Sequence, residues 1–169
     1  MQKVLVLGAG LVARPLVRYL LDKGYEVTCA SRTVAKAEAL VAGHAHGRAF
    51  PLDLSAERKL VEFIKATDLA ISLVPPPLHP VVARHCLQNG KNMVTTSYVS
   101  PEMAALVQEA RRRGLVILNE IGVDPGIDHM SAMRIIDDVK RRGGQVLAFK
   151  SYCGGLPAPQ HSDTPFGYK

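Results

Sequence analysis

No stretch of this 169-residue sequence is long and apolar enough to cross a membrane, although hydrophobic residues make up 47% of it. We also expect no signal peptide, because Met1 leads directly into a strand-like apolar run. The three cysteines lack metal-type spacing, which predicts free thiols in a reducing compartment. We therefore expect a cytoplasmic protein with no membrane partner and no metal site.

Aromatic residues are scarce, at 5% of the chain, and none is interleaved with the basic clusters. This matters because the formal net charge of +6 raises the question of a nucleic-acid partner. Proteins that bind single strands combine basic residues with aromatic stacking platforms. The basic clusters 111–113 and 140–142 instead each precede a glycine at a predicted helix end, where cations complement the helix dipole. We expect no nucleic-acid partner.

A glycine turn directly after the first apolar run is the clearest motif present. Val4–Leu7 predicts a strand buried on both faces, and the pattern G-x-G-x-x-A follows it from Gly8 to Ala13. Gly8 allows a sharp turn, Gly10 leaves room for a pyrophosphate, and Ala13 lets helix and strand pack closely. The pattern predicts a dinucleotide-binding site.

Strand-like runs alternate with helical patterns along residues 1–122, which is typical of a parallel sheet with crossover helices. We predict an α/β fold, a Rossmann-type doubly wound parallel sheet, for this domain. The predicted strands are Val4–Leu7, Tyr25–Ala30, Arg48–Leu52, Leu69–Val74, Asn92–Thr96 and Leu115–Leu118.

The pattern changes after Gly122. A turn leads into a long helix that ends near Arg142, and a strand is predicted at Gln145–Tyr152. The last seventeen residues contain three prolines and three glycines and show no periodicity. We interpret residues 123–169 as a hinge and the incomplete beginning of a second, α+β substrate or dimerisation domain.

The residues after the second predicted strand indicate which dinucleotide is bound. NAD-binding Rossmann domains carry an acidic residue there for the ribose 2′-hydroxyl. This chain has Ser31, Arg32 and Thr33 instead, so no carboxylate would repel a 2′-phosphate and Arg32 can bind one bidentately. We predict NADP(H) as the cofactor.

Several polar residues are predicted to act at helix starts, and one of them, Asp53, has a second interpretation. Asp53 either hydrogen-bonds near the adenine or caps the helix after it, with equal weight for both. Ser55 is expected to cap that helix, and Ser100 to cap the helix that begins directly after it. His79, next to Pro80, is expected to cap the helix that it begins.

Several segments together resemble the NADP-dependent, glutamate-forming saccharopine dehydrogenases of lysine metabolism. The resemblance covers the whole chain and includes residues 71–73, 79–83, 93–101 and 119–122. Its most specific part is Ser-Tyr-Cys-Gly-Gly-Leu-Pro-Ala-Pro at 151–159, followed by 162–165 and 167–169.

The resemblance implies an oxidoreductase that interconverts saccharopine with L-glutamate and 2-aminoadipate 6-semialdehyde by hydride transfer at a C–N bond. It also implies a homodimer formed through the second domain. Because chains of this family continue further, we expect the isolated 169 residues to be an incomplete enzyme.

The resemblance also assigns roles to residues. Ser97, Tyr98 and Asp124 would contact saccharopine. Because the amine must be unprotonated to release a hydride, Asp124 is our first catalytic candidate and Tyr98 the second, for holding the amine or relaying its proton. The implied cofactor contacts are Gly8, Ala9, Gly10, Leu11 and Val12 at the pyrophosphate, Ser31, Arg32 and Thr33 at the 2′-phosphate, Asp53, Leu54, Val74 and Pro75 near the adenosine, and Val123 and Pro125 beside the nicotinamide.

Other interpretations remain open. Asp124 before Pro125 is also a common turn pair, and Tyr98 could simply pack against the sheet edge. Cys153 is expected to be a packed thiol, because hydride chemistry needs no nucleophile. A carboxynorspermidine- or homospermidine-type dehydrogenase and a non-catalytic NADP-binding module are the alternative functions.

Overall fold

The computed structural model describes residues 1–154. Their contacts define a first unit, Met1–Gly126, and a second that begins at Ile127. The predicted domain boundary after residue 122 stays a prediction. Residues 155–169, which include most of the motif at 151–159, lie outside the described part of the chain.

The first unit is built on a six-stranded, fully parallel sheet with the strand order β3-β2-β1-β4-β5-β6. This order places β1 at the centre, with β2 and β3 added on one side of it and β4, β5 and β6 on the other, as in a Rossmann fold. The predicted fold class is therefore confirmed. The strands are β1 Lys3–Leu7, β2 Glu26–Ser31, β3 Gly47–Pro51, β4 Leu69–Ser72, β5 Asn92–Thr95 and β6 Ile117–Leu118.

Helices cover both faces of this sheet. They are α1 Ala13–Asp22, α2 Val34–Val41, α3 Glu57–Lys65, α4 His79–Gln88, α5 Pro101–Ala104 and α6 Val107–Arg113, with a 3-10 turn at Pro76–Leu78. Alternate residues of β1 point to opposite faces. Val4 and Val6 pack with α1 and α2, whereas Leu5 and Leu7 pack with α3 and α4. Burial on both faces explains why β1 is apolar throughout.

Helix starts follow the predictions in one case and depart from them in another. The Ser100 hydroxyl accepts the Met103 N–H at 3.2 Å and caps α5, as expected. Ser55 does not cap α3: its N–H and hydroxyl both donate to the Asp53 carboxylate, and Ala56 takes the cap position. The Ser55 prediction is wrong because a local turn satisfies that side chain first.

The second unit contains one described helix, α7 Ile127–Arg141, which has no buried residue. The strand predicted at Gln145–Tyr152 is wrong, since residues 145–154 have no regular structure. A strand needs a neighbour for its backbone N–H and C=O groups, and no other part of the described second unit pairs with this segment. Within residues 1–154, no helix combines the length and apolar character that a membrane span requires.

The two cap positions of α5 and α2 allow a matched stability test. Ser100→Ala should lower the free energy of unfolding by about 1 kcal/mol, because it removes the cap bond to Met103. Thr33→Ala should cost no more than a few tenths of a kcal/mol, because Thr33 makes no side-chain cap bond. Urea denaturation of the cofactor-free chain measures both. Equal losses would contradict the cap assignment.

Candidate functional site

The glycine turn after β1 lies where the backbone segments after β1, β2 and β4 meet. Gly8 has a φ of +108°, and a Cβ there would lie 2.7 Å from the Leu73 carbonyl oxygen. Its N–H donates to the Ala30 carbonyl at 2.9 Å. A Cβ at Gly10 would meet nothing within 4 Å. Gly8 is therefore required by the fold, whereas the space beside Gly10 is open to a ligand.

A cavity of about 530 Å³ opens at this edge of the sheet. Its walls come from the turns after the first four strands, at the carboxyl ends where open α/β sheets bind ligands. The cavity brings together ten residues predicted for the cofactor: Gly8, Ala9, Gly10, Ser31, Arg32, Thr33, Asp53, Leu54, Val74 and Pro75.

Helix α1 begins beside the cavity without a side-chain cap. Val12 occupies its cap position and makes no side-chain cap bond. The Ala13 N–H donates to the Gly10 carbonyl at 3.1 Å and Pro15 has no N–H, so Arg14 supplies the N–H of the first turn that a ligand can meet. Leu11 and Val12 are 102% and 73% exposed and do not line the cavity. Their predicted contacts with the pyrophosphate would be made through backbone groups at this helix start.

Basic and hydroxyl groups gather at the end of the cavity formed by β2 and α2. Arg32 and Thr33 are exposed, and the Ser31 hydroxyl accepts the Thr33 N–H at 3.3 Å. Lys36 lines the same wall and was missed by the sequence analysis. Lys36 lies three residues after Thr33, in the first turn of α2, and this spacing could have indicated that it shares a face with Thr33.

Asp53 lines the cavity and also holds the turn that precedes α3. Its Oδ1 accepts the Ser55 N–H at 2.9 Å and the Ser55 hydroxyl at 2.7 Å. These two bonds, with a smaller contribution from the Arg32 charge, hold the pKa of Asp53 below its ordinary value. Asp53 does not cap α3, which corrects one of its two interpretations, and its contact with the adenosine stays a prediction.

The residues predicted for the substrate lie in the loops after β5 and β6. The Tyr98 hydroxyl donates to Asp124 Oδ1 at 2.8 Å, and both side chains are exposed. Val123 is exposed and Pro125 is buried next to Asp124, in a turn closed by the Gly122 N–H and the Pro125 carbonyl at 2.9 Å. None of these residues lines the cavity.

The loop after β5 is held by two residues without a predicted site role. The Glu120 N–H donates to the Ser97 carbonyl and its carboxylate accepts the Val99 N–H, both at 3.1 Å. His79 lies beneath the loop and joins the Ser72 and Ser97 hydroxyls, each at 2.8 Å. His79 is therefore not a helix cap, because both ring nitrogens face neighbouring strand ends.

The cysteines differ in environment. Cys29 and Cys86 are buried, and burial raises the pKa of the first to about 11 and of the second to about 12, so both remain protonated thiols at neutral pH. Cys153 is exposed, so its interpretation as a packed thiol is wrong. No apolar cluster of the described residues includes it.

Comparison with known proteins identifies the family. Residues 4–118 match the model of the saccharopine dehydrogenase NADP binding domain, and residues 122–169 match that of the saccharopine dehydrogenase C-terminal domain. This chain belongs to the saccharopine dehydrogenase family. Membership confirms the resemblance found in the sequence and the prediction of NADP(H) as cofactor.

Similarity to individual proteins agrees with this family assignment. The chain is 45% identical over 170 residues to saccharopine dehydrogenase [NADP(+), L-glutamate-forming] of Schizosaccharomyces pombe, a match that covers 100% of this chain and 38% of that protein. It is 43% identical over 172 residues to the mitochondrial alpha-aminoadipic semialdehyde synthase of Mus musculus, covering 99% of this chain and 18% of that protein.

Among solved structures, apo saccharopine dehydrogenase (L-Glu forming) from Saccharomyces cerevisiae superposes with a TM-score of 0.87 at 42% identity. That match covers 100% of this chain and 38% of the yeast chain. This chain therefore spans well under half the length of the saccharopine dehydrogenases that it resembles.

The two glycines of the turn should respond differently to a methyl group. Gly8→Ala should destabilise the chain by about 2 kcal/mol, because its backbone conformation and the Leu73 carbonyl both oppose a Cβ. Gly10→Ala should leave stability within about 0.5 kcal/mol and raise the Kd for NADPH by roughly tenfold, since its methyl group enters ligand space. Chemical denaturation and fluorescence titration measure the two effects. Equal destabilisation by both changes would contradict this division of roles.

Proposed function

We propose that this chain is the cofactor-binding part of an enzyme that interconverts saccharopine with L-glutamate and 2-aminoadipate 6-semialdehyde using NADP(H). The observation that carries the proposal is the 45% identity, over the whole chain, to the fission yeast protein named saccharopine dehydrogenase [NADP(+), L-glutamate-forming]. Residues that the sequence predicts for cofactor and substrate lie at one edge of the sheet, which supports it further.

The arrangement around Arg32 fits a 2′-phosphate. Arg32 and Lys36 supply positive charge, and Ser31 and Thr33 supply hydroxyl groups at the same cavity wall. The carboxylate of Asp53 faces a different set of donors, the N–H and hydroxyl of Ser55. Arg32 therefore carries most of the preference for NADP(H) over NAD(H), with Lys36 as a second cation.

Bound NADP⁺ would accept a hydride from the carbon beside the saccharopine nitrogen, and water would then split the resulting imine into the two products. That carbon can release a hydride only when its nitrogen is unprotonated. Asp124 is our candidate for holding the amine and accepting its proton. The Tyr98 hydroxyl donates to one oxygen of Asp124 and so orients the carboxylate for that task.

Three further features are proposals as well. We place the protein in the cytoplasm, assign residues 123–169 to a substrate and dimerisation domain, and expect a homodimer through that domain. Val123 and Pro125 flank the nicotinamide in this proposal, next to Asp124, and Leu54, Val74 and Pro75 lie against the adenosine.

Arg32→Ala tests the cofactor assignment. The variant should raise the Kd for NADPH roughly 30-fold, which corresponds to about 2 kcal/mol for lost hydrogen bonds to a charged group. The Kd for NADH should change less than about threefold, because NADH lacks the 2′-phosphate. Arg48→Ala is the matched control, since Arg48 is exposed on β3 and does not line the cavity. Equal losses for both cofactors would overturn the assignment.

The activity is tested by joining residues 1–169 to the part of the fission yeast enzyme that lies beyond the match. The fusion should form NADPH from saccharopine and NADP⁺, and Asp124→Asn should lower kcat roughly a hundredfold, the usual contribution of a positioned proton acceptor. Absorbance of the reduced nicotinamide measures the rate. The chain alone should bind NADPH and turn over saccharopine slowly.

A folded fusion that binds NADPH but leaves saccharopine untouched contradicts the proposal. Turnover of carboxynorspermidine or homospermidine would then favour a polyamine dehydrogenase. Inactivity towards all three amines would favour a non-catalytic NADP-binding module.

A further inference from the structure

His79 occupies a buried position between the ends of β4 and β5 and the loop that follows β5. It is 2% exposed and starts α4. Its Nδ1 lies 2.8 Å from the Ser72 hydroxyl at the end of β4, and its Nε2 lies 2.8 Å from the Ser97 hydroxyl after β5. Thr95 Oγ1 is a more distant neighbour, at 3.2 Å from Nε2 and 3.5 Å from Nδ1.

The ring is neutral at neutral pH, because burial lowers the pKa of His79 below its ordinary value. A neutral imidazole donates from one nitrogen and accepts at the other. The direction of these two bonds decides whether the Ser97 hydroxyl receives a hydrogen from the ring or gives one to it.

Ser72 settles that direction. Its side chain is fully buried, and His79 Nδ1 is the one hydrogen-bond partner of its hydroxyl among residues 1–154. A buried hydroxyl that only accepts would leave its own hydrogen unsatisfied. Ser72 therefore donates to Nδ1, which leaves the hydrogen of the ring on Nε2, and Nε2–H donates to Ser97 Oγ. The buried Thr95 hydroxyl, whose oxygen accepts the Ser97 N–H, has Nδ1 within reach at 3.5 Å for its own hydrogen, so this tautomer leaves neither buried hydroxyl without an acceptor.

We propose that His79 is a positioning residue that fixes the Ser97 hydroxyl as a hydrogen-bond donor towards an anionic oxygen of the substrate. Ser97 is partly exposed, whereas Ser72 and Thr95 are buried, so Ser97 is the end of this chain of polar groups that a ligand can reach. With its oxygen already accepting from Nε2–H, Ser97 turns its hydrogen outwards. A carboxylate is the matching group.

The same network also fixes the backbone of Ser97. Its N–H donates to Thr95 Oγ1 at 3.4 Å, and its carbonyl accepts the Glu120 N–H at 3.1 Å. A serine whose hydroxyl oxygen and backbone groups are all hydrogen-bonded loses little further conformational freedom when a ligand binds. This inference rests on the proposed function in one respect, the choice of saccharopine, a tricarboxylate, as the ligand.

The first experiment reads the tautomer of His79 directly, on the wild-type chain without ligands. Two-bond ¹H–¹⁵N correlation spectra separate the Nε2–H form from the Nδ1–H form and from imidazolium. We expect the Nε2–H form. An Nδ1–H ring, or a charged one at neutral pH, would overturn the proposed direction of donation.

The second experiment measures saccharopine binding by calorimetry, on the NADPH-loaded fusion of residues 1–169 with the remaining part of the fission yeast enzyme. His79→Asn should raise the Kd for saccharopine about tenfold, because Asn reaches Ser72 but is too short to reach Ser97. His79→Gln should recover most of that loss, since its amide nitrogen extends about as far as Nε2. The Kd for NADPH should stay within about twofold in both variants.

Two controls separate positioning from a general structural effect. His85→Asn alters another buried histidine of α4, whose Nε2 lies 3.5 Å from Glu57 Oε1, and should leave saccharopine binding unchanged. In a Ser97→Ala background, His79→Asn should cause no further loss, because its effect passes through the Ser97 hydroxyl.

An unchanged Kd in His79→Asn, or an equal loss with and without Ser97, would overturn the positioning role. If His79→Asn fails to fold, His79→Gln and the wild-type tautomer still decide the matter. A wild-type fusion that binds NADPH but no saccharopine contradicts the proposed function, whereas the tautomer spectrum of the chain still tests the His79 arrangement by itself.

Discussion

The close approach of two backbone segments, at Gly8 and Leu73, is the constraint on which the rest of this site depends. The Leu73 N–H donates to the Leu7 carbonyl at 2.8 Å, and the Gly8 N–H donates to the Ala30 carbonyl at 2.9 Å. These two bonds join the ends of β4 and β2 to the end of β1, from both sides. No side chain fits between Gly8 and Leu73. The cavity walls after β2 and β4 take their positions from this junction.

A second polar junction lies next to it, beneath the loop after β5. Ser72 belongs to β4, Thr95 to β5 and His79 to α4, so one imidazole ties three elements together. Buried polar groups are costly unless each finds a partner, and here each does so through the ring. The proposed cofactor side of the site is therefore built by backbone contacts, and the proposed substrate side by side-chain hydrogen bonds.

Local sequence patterns were informative where a short segment contains the whole physical reason for a structure. The strand-and-glycine pattern of residues 4–13 predicted β1, its turn and α1, and Ser100 predicted the cap of α5. Arg32 without a neighbouring acid indicated NADP(H), which the family confirms. Ser55 was wrongly predicted to cap α3, because its hydroxyl had two possible partners close in sequence and formed a hydrogen bond with Asp53.

The sequence by itself determined the parallel α/β fold, the position of the glycine turn and the family, since each depends on patterns within a few neighbouring residues or on a resemblance along the whole chain. Only the tertiary structure decided which hydroxyl groups His79 contacts, that Tyr98 reaches Asp124, and that Lys36 joins the cavity wall. The tertiary structure also decided that residues 145–152 form no strand, because a strand requires a neighbouring strand to pair with. These facts depend on which strand ends become neighbours, and that is set by the order of the sheet rather than by any local run of residues.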